Sequence, residues 1–109
     1  MISNSKTYLQ QDEKLARYAR ALGHPARVAI LRFLEEHSAC FAGNIAESLP
    51  IAASTVSQHL SALKEAGLIR GQINPPTILY CIEAEAWEEA KALFAEFFSK
   101  PAISDDTCC

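Results

Sequence analysis

Apolar positions in the first half of the chain recur at helical spacing. Leu15, Tyr18, Ala19 and Leu22 stand at i, i+3, i+4 and i+7, which predicts a helix from about Gln10 to Leu22. Gly23 ends it. His24-Pro25 opens a second helix, since proline is tolerated in a first turn. Its stripe is Val28, Leu31 and Leu34, widened by Ile30 and Phe33, and it ends near His37. A third, short helix covers about Ala42 to Leu49, with Ile45 and Leu49 inward, and Pro50 stops it. The fourth runs from about Ala52 to Ala66, with Gly67 beyond its end. After Gly67 the period changes. "LIRGQI" and "ILYCI" read as short strands joined by "NPPT". Ile78, Tyr80 and Ile82 share one face of the second strand, Leu79 and Cys81 the other. A last helix, about Glu83 to Lys100, carries Trp87, Ala90, Leu93, Phe94, Phe97 and Phe98, and "PAISDDTCC" reads as a loose tail. The expected fold is mainly α: a single winged helix-turn-helix domain over residues 1–109, with about five helices, a two-stranded β-wing and a flexible tail from about residue 101.

The fourth helix has an unusual outer face. Val56, Leu60, Leu63 and Ala66 gather on one side, as a core face should. The other side carries Ser54, Thr55, Ser57, Gln58 and Ser61, with His59 on the boundary. A surface helix ordinarily presents long charged residues there. Short hydroxyls and an amide let the backbone approach another surface closely. Gln can pair with adenine N6 and N7 in the major groove, and Ser and Thr reach base edges or phosphates. Lys64 and Arg70 can supply charge to phosphates. The competing reading is a helix start rich in capping residues.

Charge does not decide between these. The net charge of the 109-residue chain is −3. Its distribution is uneven: residues 1–34 hold six Lys/Arg against two Asp/Glu, whereas residues 83–100 hold five Glu against two Lys. A basic face and an acidic face are therefore expected on one molecule. No run of about 18 apolar residues is present, so no membrane span is expected, and the polar "MISNSKTYLQ" lacks a signal core. The expected location is cytoplasmic, with Cys40, Cys81, Cys108 and Cys109 as reduced thiols.

The segments "LGHPARVAILRFL", "NIAESLPIAASTVSQHLSALKEAGLI" and "LYCI" together resemble the ArsR/SmtB family of bacterial repressors, over about Leu22 to Ile82. The resemblance implies a dimeric winged-helix repressor whose first and last helices pair across a two-fold axis. It makes Ala52–Ala66 the recognition helix and Leu68–Ile82 the wing, with Ser54, Thr55, Ser57, Gln58 and His59 as DNA-contact positions. The implied partner is a palindromic double-stranded operator with half-sites about one DNA turn apart. Family wings often carry basic residues at the tip; this chain has Asn74, Pro75, Pro76 and Thr77 there.

The family also suggests an input. Its zinc-type site uses Asp, His and Glu across the last helices, but residues 83–100 contain no histidine, and Glu85, Glu88 and Glu89 read as a solvated acidic face. Its arsenic-type site uses cysteines near the helix before the turn. Cys40 matches the first of these positions, but the next is Ala42. Cys108 and Cys109 are the expected replacements, from the same or the partner subunit, and Cys81 is a further candidate. Trivalent arsenic, as arsenite or methylated arsenite, bonds three thiolates in a pyramid; antimony or mercury suits the same sulfur atoms. No cofactor is expected for DNA binding itself. An alternative of the same fold is a thiol redox or persulfide sensor. A more distant one is a thiol metal carrier. With no Cys-x-x-Cys, no phosphate loop and no adjacent base, an enzyme is not expected.

Overall fold

The computed structural model describes residues 7–102. The elements run α1 (Gln10–Ala21), α2 (Pro25–Glu36), β1 (Cys40–Phe41), α3 (Ala42–Ser48), α4 (Ala53–Glu65), β2 (Ile69–Asn74), β3 (Thr77–Ile82) and α5 (Ala84–Phe97). Each has a local cause. α2 starts at Pro25, and the Nδ1 of His24 accepts the Ala26 amide hydrogen at 3.0 Å, so a histidine serves as its N-cap. α4 ends in a Schellman turn: Gly67 takes φ +86, its N–H bonds Lys64 O at 3.0 Å, and the Leu68 N–H bonds Leu63 O at 3.1 Å. Leu63 and Leu68 are both buried beside that turn, which aims the chain from α4 into the wing.

Ile30, Leu31, Leu34, Ile45, Val56, Leu60, Leu63, Leu68 and Ile69 form one core, joined by Tyr18, Ala21, Cys40 and Ala90. Helices α2, α3 and α4 thus pack on the inner face of the sheet. In α1 the apolar stripe differs from expectation: Ala21 is buried and Ala19 exposed. The face is set by contact with α5, where Tyr18 donates its hydroxyl hydrogen to Glu89 at 2.5 Å and Lys14 pairs with the same carboxylate at 2.7 Å. Glu89 is therefore a tie between the first and last helices, not part of a solvated face.

The sheet has three strands, in the order β1-β3-β2, where two were expected. β2 and β3 pair antiparallel from Ile69↔Ile82 to Asn74↔Thr77. The added strand places Cys40 opposite Tyr80 and Phe41 opposite Leu79. Since Phe41 is also the N-cap of α3, the wing is joined to the start of the helix-turn-helix through this pairing. α5 is shorter than expected, ending at Phe97, with Phe97 and Phe98 both largely exposed.

Candidate nucleic-acid interface

Helix α4 is anchored by Val56, Leu60 and Leu63, each fully buried. That anchoring turns Ser54, Ser57, Gln58 and Ser61 outward, and all four are exposed. None of their side chains hydrogen-bonds within the protein among the described residues. The N-cap of α4 is Ala52, with no side-chain cap bond. The serines and Thr55 are therefore not engaged in capping, which removes the competing explanation for this composition. What remains is a ridge of unused donors and acceptors on the first turns of a helix, with free backbone N–H groups at its start.

The two flanks of the ridge differ. On the wing side, Lys64 is exposed and its Nζ lies over the base of the wing, about 3.6 Å from where a side chain on Gly71 would begin. Arg70 is exposed on the opposite face of β2, its Nε donating to the Cys81 Sγ at 3.2 Å. The tip, Asn74 to Thr77, is exposed and carries no charge. Beside it Ile73 is 78% exposed.

On the other flank Thr55 and His59 are half-buried. They line an apolar recess of about 460 Å³ with His24, Pro25 and Ile51. Arg27 donates its Nε hydrogen to His59 Nδ1 at 3.1 Å, and the His24 ring lies 4.5 Å away, centroid to centroid. Burial, then His24 and Arg27, push the His59 pKa below its ordinary value. With Nδ1 accepting from Arg27, the neutral His59 ring carries its hydrogen on Nε2 as a donor. This Arg27–His59–His24 group was missed in the sequence. His24 and Arg27 lie on one helical turn, but nothing local connects them to His59.

The thiols are separated. Cys40 is buried in the core, and burial raises its pKa. Directly paired residues project on the same face of a sheet, so Cys40 faces the core with Tyr80, while Cys81 projects to the opposite face with Arg70. The structure thus does not bring Cys40 and Cys81 together. Cys108 and Cys109 lie outside the described residues. Among the described residues no group of three or more His, Cys, Asp or Glu is placed to hold a metal ion. His37 donates its Nδ1 hydrogen to Phe33 O, 2.7 Å away, and stacks on the Phe33 ring, a helix-end role.

A helix-turn-helix domain family matches residues 22–72, from the end of α1 into β2. The HTH-type transcriptional regulator YgaV of Escherichia coli K12 is 36% identical over 74 residues, 68% of this chain and 75% of that protein. Among solved structures, a possible transcriptional regulator for arsenical resistance superposes with a TM-score of 0.67 at 25% identity, covering 84% of this chain and 86% of that one. The homodimeric winged helix-turn-helix DNA-binding domain of a possible ArsR-family regulator from Mycobacterium bovis gives 0.66 at 28% identity, over 89% and 86%. With α3, α4 and the wing arranged as a winged helix-turn-helix and these likenesses spanning them, the chain belongs to the ArsR/SmtB family of helix-turn-helix transcriptional regulators.

Proposed function

We propose that this protein is a homodimeric transcriptional repressor that binds a palindromic operator and is released when a trivalent metalloid binds its thiols. The observation that carries the DNA half is the α4 ridge: Ser54, Ser57, Gln58 and Ser61 are exposed, positioned and unpaired within the protein. Such groups cost little in water and gain partners in a major groove. Dimerisation through α1 and α5 is supported by the apolar surface left at their open ends, where Tyr8, Leu9, Phe97 and Phe98 are each at least 64% exposed. The homodimeric Mycobacterium bovis neighbour supports the same reading.

The input assigned is arsenite, or methylated arsenite, on Cys40 with Cys108 and Cys109; antimony or mercury would use the same atoms. Each As–O bond of arsenous acid is exchanged for an As–S bond, and each thiol hydrogen leaves on hydroxide as water. Three thiols thus release three waters, and the raised pKa of Cys40 is no bar to the exchange. Support comes from the position of Cys40. It lies on the strand that joins the wing to the N-cap of α3, so a ligand there acts on both halves of the reading unit. A coupling of about 1–3 kcal/mol, common in allosteric systems, would weaken operator binding about 5- to 150-fold.

The test is an anisotropy titration of an operator duplex, selected from a random library by the wild-type protein, with arsenite added. Cys40→Ser is expected to bind DNA like wild type and to lose release. Normal release from Cys40→Ser overturns the thiol assignment. Release by peroxide or persulfide but not arsenite favours the redox reading, and failure to select any duplex overturns the DNA reading.

A further inference from the structure

An α-helix is about 10–12 Å across, and the major groove about 12 Å wide. A helix seated in the groove therefore has a phosphate ridge on each side. On α4 the wing side offers Lys64 and, beyond it, Arg70, but the wing tip has no cation. The opposite side of α4 borders a cleft of about 330 Å³ lined by Arg17, Arg20, Arg27, Ala62, Glu65 and Ala66. This cleft shares Ala62 and Glu65 with the surface formed by Gln58, Ser61 and Lys64, so it is continuous with the ridge.

Its charge is largely uncommitted. Among the described residues the only ion pairs are Lys14–Glu89 and Lys91–Glu88, and neither involves the cleft. Arg20 makes no side-chain contact that ties down its guanidinium. Arg17 is the most engaged of the three: it lies over the Tyr18 ring at 5.4 Å and interacts electrostatically with Tyr18 and Glu89. Arg27 spends Nε on His59 and one terminal nitrogen on Arg20 O, at 3.4 Å, which leaves its remaining N–H groups free. Glu65 is the one carboxylate in the lining, and it forms no ion pair with the three guanidiniums.

We propose that the Arg17–Arg20–Arg27 cleft is a second DNA-contact site, which binds backbone phosphates along the groove edge opposite the wing. The ligand class is the phosphodiester backbone of duplex DNA, bound without base recognition. The site accounts for how a chain of net charge −3 with an uncharged wing tip holds a polyanion: three arginines of α1 and α2 stand beside the reading helix, against the single carboxylate of Glu65 in the lining. This inference rests on the DNA reading above and adds to it a surface outside the helix-turn-helix.

The experiment measures the affinity of the full-length protein for its selected operator, and for an unrelated duplex, across a series of salt concentrations. Each phosphate contact contributes about 0.9 to the slope of log K against log salt, and about fivefold in affinity near 0.15 M. In a dimer, Arg17→Gln with Arg20→Gln removes two cations per subunit. The expected slope loss is up to about 3.6, with affinity for both duplexes falling by the same factor. Arg17→Lys with Arg20→Lys should keep most of the slope. If the glutamine pair does not fold, Arg20→Gln alone carries the test, with an expected slope loss of about 1.8. An unchanged slope overturns the proposal while leaving the operator reading intact, provided Gln58→Ala still alters base preference. So does a loss confined to the operator duplex. Loss of binding to phosphatidylglycerol vesicles with no change on DNA assigns the cleft to lipid and overturns it equally.

Discussion

Gly67→Ala isolates the turn that positions the wing against α4. Gly67 sits at φ +86, in the left-handed region that a residue with a Cβ enters at a cost. A Cβ built there meets nothing within 4 Å, so the substitution adds no clash and the whole effect is backbone strain. The expected loss is about 1–2 kcal/mol. For a domain near this size each kcal/mol lowers the melting temperature by about 4–8 °C, so a drop of about 4–16 °C is expected. Urea unfolding at one fixed protein concentration measures it, because dimer linkage makes apparent stability depend on concentration. Gly67→Asn should lose less, since Asn visits this region more readily. Gly43→Ala is the internal control. It lies in α3 with open space around its Cβ position, and should gain about 0.5–1 kcal/mol. Equal effects at Gly67 and Gly43, or a loss at Gly67 beyond about 3 kcal/mol, would refute an account based on φ alone.

Gln58→Ala should leave unfolding unchanged and reduce discrimination at one operator position by about 1–3 kcal/mol, read by competition with single-base variants. His59 has a lowered pKa, so the unfolded chain takes up its proton first. Stability from this residue is full above about pH 6.5 and declines as pH falls below it; His59→Gln should show a smaller loss between pH 7 and 5 in urea titrations. Glu89 has its pKa lowered, first by Lys14 and then by Tyr18, so its contribution is present above the ordinary carboxylate range and is lost as pH falls through the folded value. Glu89→Gln should therefore be less stable at pH 7 and converge with wild type in acid. Under the proposed mechanism, operator binding should weaken arsenite binding by the factor by which arsenite weakens the operator complex, and should also slow alkylation of Cys40, measured by mass spectrometry.

The elements legible in the sequence were those with enough length to show a period. α4 spans Ala53–Glu65, several turns, and its core and outer faces separate cleanly. Gly67 was legible because few other residues accept its conformation. β1 was not, since two residues cannot display an alternation of period two. With β1 hidden, the opposite facing of Cys40 and Cys81 was hidden too. The tie at Glu89 is not legible because its partners Lys14 and Tyr18 lie more than 70 residues away. Ala19 reads as inward because alanine weighs little in a stripe, whereas the contacts of Lys14 and Tyr18 with Glu89 decide which face α1 turns to α5. The recess at His59 joins residues from α2, the α3–α4 turn and α4, and no local pattern announces such a meeting.

The hidden strand bears most on how the proposed switch would work. Cys40 is 6% exposed and packs with the core, so its sulfur cannot join a three-thiol pyramid while β1 stays paired and buried. Metalloid binding must select a state in which Cys40 leaves that packing. The same departure frees Phe41, and with it the N-cap of α3 and the edge of β3. α3 packs on α4, and β3 carries β2, so both neighbours of the reading helix lose a support together. A repressor built this way needs no long-range path from sensor to groove. The local opening that admits the ligand is the one that loosens the reading unit, and DNA, by favouring the closed state, opposes the ligand through the same equilibrium.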